Sequence, residues 1–309
     1  MDVGMRSVPA KVDVPSWPSV LSTGLILWTA SVVVTAFTGN LNMIPTVVLL
    51  GSFLVPVTAI VWYLDHYQSL QVTPRVIFSA FIVGGILGVL AASVFESWLR
   101  SETIPIYVAV GLIEEFAKLL ALLFISRRLA YYAIREGIIL GAAVGFGFGA
   151  LESSGYALTS LFVAGKGGIV AFSLGSLVFT ELLRGILAPL GHGLWTAILG
   201  GVLFGASRGG RLRLTWGVVG AYLLVSLLHS LWDAMRGIAF VLTVLFTATP
   251  AQRLALIEGI VIPPTIEQMR VFLSFEIGGL ALISIVGLVI WWTLWRKGGR
   301  DGPAAIPLA

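Results

Sequence analysis

Apolar runs of roughly bilayer length follow one another from Trp17 to Trp295, separated by short polar breaks. They fall at about 17–38, 44–64, 76–95, 104–125, 137–159, 186–206, 214–236 and 271–295. A hydrocarbon core of roughly 30 Å is crossed by about 20 apolar helical residues, so each run is predicted to be a transmembrane helix. The stretch 161–184 is apolar but holds Lys166, Glu181 and Arg184. It reads either as a ninth span or as an interfacial or re-entrant piece. The longest connection is 237–270. Within it, Thr249-Pro250-Ala251-Gln252 has the form of a capping box with proline at the first helical position, which predicts a short surface helix. Pro263-Pro264-Thr265 then restarts the chain into the last span. No repeat with a period of 20–50 residues is visible, and no soluble domain. The expectation is an all-α polytopic bundle of about eight transmembrane helices. Its one membrane domain spans 17–295, between an N-terminal tail (1–16) and a disordered C-terminal tail (296–309).

Composition agrees with this reading. The chain is 58% hydrophobic and 11% charged, whereas a soluble domain carries about 25% charged residues. The first run is too long for the apolar region of a signal peptide and lacks a small-residue cleavage site, so it reads as a retained span. The net charge of +4 is spread over tails and loops. No basic stripe with interleaved aromatics suggests nucleic acid. The clusters Arg127/Arg128/Arg135, Arg208/Arg211/Arg213 and Arg296/Lys297/Arg300 all fall on one side of the membrane if there are eight spans. The positive-inside rule makes that side, and both termini, cytoplasmic. The absence of cysteine excludes disulfides, thiolate metal sites and a cysteine nucleophile.

Seven of the ionisable side chains inside apolar runs stand out: Glu114, Glu115, Lys118, Glu152, His192, His229 and Asp233. An intramembrane charge normally faces a bundle interior or a water-filled cavity and marks a functional pathway. Glu114 and Lys118 share a helix face, with Glu115 about 100° round. Adjacent carboxylates in a low dielectric do not both ionise cheaply, and a neighbouring ammonium offsets their repulsion. Such a cluster can poise a general base; its bland counterpart is an ion pair that only locks helix packing. Gly141, Gly145 and Gly149 form a small-residue face for close helix contact, which Glu152 continues into the bundle. Glu152 alone also suits a simple interhelical hydrogen bond, and His192 alone a structural one. Tyr222, Ser226, His229 and Asp233 make a polar stripe in which Asp233 is placed to orient the His229 ring.

Depth tests whether these residues meet. At 1.5 Å per residue, eight spans put Glu114 ~15 Å, Glu152 ~10 Å, His192 ~9 Å and His229 ~14 Å below the extracytoplasmic helix ends. A ninth span would place the two histidines at ~20 Å or deeper. Eight spans therefore bring four helices to one layer. Three motifs that mark known classes of intramembrane protease are absent: His-Glu-x-x-His, the rhomboid-like Gly-x-Ser-Gly and the presenilin-like Gly-x-Gly-Asp.

Three short motifs occur in order. Glu114-Glu115-Phe116-Ala117-Lys118 resembles the Glu-Glu-x-x-Lys of PrsW-type intramembrane proteases. Phe148-Gly149-Ala150-Leu151-Glu152 is similar to their Phe-x-x-x-Glu, and His229-Ser230-Leu231-Trp232-Asp233 to their His-x-x-x-Asp. These proteases are distant relatives of the CAAX-processing and bacteriocin-processing proteases and of the APH-1 scaffold. The resemblance covers about residues 76–240. It implies cleavage of a single-span, membrane-anchored substrate such as an anti-sigma factor, in a bacterial plasma membrane. It implies Glu114 as the water-activating base, supported by Glu115, with Lys118 and Asp233 in the same catalytic group. It further implies that Glu152, His192 and His229 hold a metal or position the water. Two histidines and a glutamate suit zinc with an open position, and a metal-free mechanism is the other option. Two different classes compete. A proton- or ion-coupled transporter would show internal repeats; a noncatalytic APH-1-like scaffold need not retain both the Glu-Glu and His–Asp pairs.

Overall fold

The structure is a computed structural model describing residues 15–67, 69–99, 106–164, 170–207, 210–260 and 262–300. Lys166, Arg208 and most of the two tails lie outside them. Among the described residues, seven helical stretches are long and apolar enough to cross a membrane. The chain is a multi-pass helical membrane bundle. In order it forms α1 (Trp17–Thr38), α2 (Ile44–His66), α3 (Pro74–Ser79), a π-helical turn at Ala80–Gly84, α4 (Gly85–Glu96), α5 (Ile106–Ser126) and α6 (Ile134–Ser160). A hairpin of β1 (Phe162–Ala164) and β2 (Val170–Phe172) follows, with Val163 opposite Ala171. Then come α7 (Leu174–Leu187), α8 (His192–Ala206), α9 (Trp216–Thr247), α10 (Pro250–Ile257) and α11 (Ile266–Arg300). The helix α5, 21 residues long, is of spanning length too. Its three charged residues are those of the predicted site.

The most buried helix is α6, and the reason is in its sequence. Gly137 faces the backbone of Gly200, Gly141 that of Thr196, and Gly145 that of His192. At each position a Cβ would collide with a carbonyl of α8, so only glycine lets the two backbones touch. The pairing runs antiparallel and continues beyond α8. Arg184 meets Glu152 and Ser153, and Leu177 meets Ala157 and Leu161. α7 and α8 are thus two halves of one long element lying along α6, broken at Ala188–Gly191, where Pro189 sits in a 3-10 turn. In the ambiguous stretch, β1 and β2 pair antiparallel and α7 leads into α8. Gly145→Val should wedge this contact open. Overpacking a tight interior costs about 1–3 kcal/mol, and the carbonyl here cannot yield, so a loss at or above that range is expected from chemical unfolding in detergent.

The predicted element boundaries hold closely through α6 and then lengthen. α9 has 32 residues and α11 has 35, against runs ending near 236 and starting near 271. α11 also runs on as helix through Arg300, where a disordered tail was expected from 296. In α11 polar residues continue the helix at both ends of the apolar run, while in α9 the added turns at 237–247 are themselves apolar and follow Arg236. The C-terminal end of α9 and the N-terminal end of α11 are tied together through α10. Its expected capping box is present, and Gln252 and Gln268 hydrogen-bond reciprocally at 3.3 and 3.1 Å.

Candidate active site

The seven predicted residues converge in one cluster. On α5, Glu115 and Lys118 are fully buried and Glu114 is 5% exposed. The Lys118 ammonium lies 3.2 Å from Glu114 Oε2, 2.8 Å from Glu115 Oε1 and 2.8 Å from His192 Nδ1. The Phe148 ring faces the same ammonium at 4.0 Å. Burying this charge is tolerable because each side of it is met by a carboxylate, a ring nitrogen or a π face.

The histidines arrive from α8 and α9. His192 is the first residue of α8, immediately after the break. His229 is fully buried, stacked on Trp195 at 4.7 Å, with its ring 4.9 Å from that of His192. Each ring gives one nitrogen to a carboxylate: His192 Nε2 is 2.9 Å from Glu152 Oε2, and His229 Nδ1 is 3.0 Å from Glu115 Oε1. The other two nitrogens face inward. His192 Nδ1 accepts from Lys118, whereas buried His229 Nε2 has no hydrogen-bond partner. Asp233 Oδ2 approaches that orphaned nitrogen at 3.2 Å.

Glu114, His192 and His229 each offer an atom to a common point, all within 4.8 Å of one another. Carboxylate-backed histidines with inward lone pairs are the usual surroundings of metal-ligating imidazole, and an orphaned Nε2 suits a ligand. This donor set fits a divalent ion. At Nδ1, however, a metal and the Lys118 ammonium compete for one lone pair.

The arrangement changes two sequence expectations. Glu114, not Glu152, completes the trio with the histidines, because Arg184 engages the Glu152 carboxylate at 2.5 Å. The carboxylate hydrogen-bonded to His229 is Glu115 from across the helix pair, while Asp233 sits at the opposite nitrogen. Arg184 itself was missed as a site residue. Its signal was a cation in an apolar stretch, left aside because that stretch had no assigned topology.

A cleft of about 450 Å³ reaches the cluster from the end where α4 stops and α5 begins. Glu96, Tyr107, Glu114, Glu152, Arg184 and Asp233 line it. Among the site carboxylates the side chain of Asp233 is the most exposed at 28%, followed by Glu152 at 21%, Glu114 at 6% and Glu115 at 0%.

Residues 72–255 match the family model described as PrsW family intramembrane metalloprotease. This range holds every residue of the cluster and leaves out α1, α2 and α11. The chain is also 28% identical over 141 residues to Protease PrsW of Halalkalibacterium halodurans, an alignment covering 45% of this chain and 58% of that relative. No solved structure matches. With the family model covering more than half of its length, the chain belongs to the PrsW family of intramembrane metalloproteases.

Proposed function

We propose that this chain hydrolyses a peptide bond of a single-span membrane protein in the cleft between α4, α5, α6, α7 and α9. The observation that carries the reading is the convergence of Glu114 Oε2, His192 Nδ1 and His229 Nε2 at the inner end of that cleft. Glu114, His192 and His229 would hold a divalent ion, zinc by the preference of a two-histidine, one-carboxylate set with an open fourth position. Bound there, the ion would polarise the scissile carbonyl and make water easier to ionise.

The chain's own residues divide the remaining work. Glu152 and Glu115 fix the two imidazoles through their outer nitrogens. Lys118 bridges the adjacent carboxylates of α5 and holds them together. Asp233, open to the cleft beside His229, takes the proton as water attacks the carbonyl carbon. The C–N bond then breaks, and Asp233 returns the proton to the leaving amine. A base role for Glu114 itself, expected from sequence, belongs to a metal-free version of the site; the orphaned His229 Nε2 favours the metal-bound one. The cleft would face the extracytoplasmic side of a bacterial plasma membrane, with both termini cytoplasmic. The substrate would be an anti-sigma-factor-like protein.

Metal analysis tests the reading. Purified protein is expected to retain about one divalent ion per chain, and chelation is expected to stop cleavage until zinc is restored. Cleavage by metal-free protein that resists chelators would overturn it.

A further inference from the structure

Leu177, Glu181 and Arg184 lie on one face of α7, at helical spacings of four and three. Leu177 is fully buried against α1, α2 and α6, and Glu181 is 4% exposed. Glu181 Oε2 accepts from Trp28 Nε1 of α1 at 2.8 Å. Its carboxylate rests on Gly51 of α2, where a Cβ would collide with it. Less than one turn further on, the Arg184 guanidinium donates to Glu152 Oε2 at 2.5 Å and to Ser153 Oγ at 2.8 Å, and it stacks over Tyr156 at 4.3 Å. The same Glu152 oxygen receives His192 Nε2 at 2.9 Å. One carboxylate oxygen thus joins Arg184 to the imidazole at the start of α8. Between Arg184 and His192 the helix is broken at Ala188–Gly191, so α7 and α8 are not one rigid rod.

We propose that Arg184 is a positioning residue for His192. Held in place by the Trp28–Glu181 contact, it fixes the Glu152 carboxylate, and with it the orientation and tautomer of the His192 ring. By this route α1 and α2, which lie outside the family-matched residues, reach the catalytic cluster. Loss of carboxylate partners behind a metal-ligating histidine typically lowers metal affinity or activity 10–100-fold. The consequence for metal and cleavage rests on the proposed function; the coupling of Arg184 to His192 does not.

The chain contains three histidines, so selective ¹⁵N-histidine labelling gives a spectrum with few signals in lipid. In Arg184→Gln the His192 ring resonances are expected to move while those of His66 stay. Chelator competition should show zinc held roughly 10–100-fold more weakly, and Arg184→Lys should recover part of both. Trp28→Phe, which removes only the anchor's donor, should shift His192 in the same direction by less. If Arg184→Gln fails to fold, the Glu152→Gln background serves instead. There Arg184→Lys should leave His192 unchanged, because the link is already cut. Unmoved His192 resonances in folded Arg184→Gln, or an equal Arg184→Lys shift with and without Glu152, would overturn the proposal. Wild type that retains no metal, together with His192 resonances that still move in Arg184→Gln, would contradict the proposed metal site and leave this coupling standing.

Discussion

Glu114→Gln should abolish both metal retention and cleavage while the bundle stays folded. The substitution keeps the size of a side chain that is 5% exposed and removes the anionic oxygen shared by Lys118 and the two inward nitrogens. Cleavage should fall at least by the roughly 10²–10⁴-fold typical of losing an acid–base group. Asp233→Asn should fall over the same rough range of 10²–10⁴-fold yet keep its metal, because that carboxylate is assigned to the proton. Parallel cleavage and metal measurements on the two variants separate the roles. Glu114→Gln that keeps both its ion and its activity would remove Glu114 from the trio. Asp233→Asn with wild-type rate would return the base role to another carboxylate of the cleft.

Lys118→Met should cost the folded state itself. Methionine retains the length of the stem but leaves Glu114 and Glu115 without the ammonium that both now contact at 3.2 and 2.8 Å. Breaking a fully buried ion pair by removing one partner costs about 3–5 kcal/mol, a large part of the stability of an ordinary domain. Low yield and an early unfolding midpoint are therefore expected in metal-free protein. Because the vacated position lies among the metal donors, added zinc should raise the midpoint with concentration, as any ligand of the native state does. An unchanged midpoint in the absence of zinc would mean that the ammonium contributes little to holding α5 in place.

Much of this molecule is legible in its sequence for one physical reason: the bilayer makes both apolar length and buried charge expensive to get wrong. Apolar runs located α1 to α6 within a few residues, and the seven candidate ionisable residues all reached one cluster. Depth along a helix is readable from sequence because the rise per residue is fixed. The direction in which a side chain looks across the bundle is not. That is why Glu152 and Glu114 were placed in the right layer but with exchanged partners, and why His229 was paired with Asp233 of its own helix before Glu115 of another. Arg184 was obscured differently. Its helix is the N-terminal half of a broken element, and the turn at Ala188–Gly191 hides the continuity of α7 with α8. The polar ends of α11 carry no hydropathy signal although they remain helical, whereas the last turns of α9, 237–247, are apolar and were cut off at Arg236 because the run had already reached bilayer length.

Cleavage in a defined bilayer addresses the proposed activity most directly. Zinc-loaded protein would be reconstituted in vesicles with a panel of single-span substrates carrying short extracytoplasmic segments, and the products read by mass spectrometry. The expected result is one new pair of termini in the outer half of a substrate's membrane segment or just outside it, formed by wild type and not by Glu114→Gln. Substrates left intact by folded, metal-loaded wild type, or cut equally by Glu114→Gln, would contradict a hydrolytic site built on Glu114, His192 and His229.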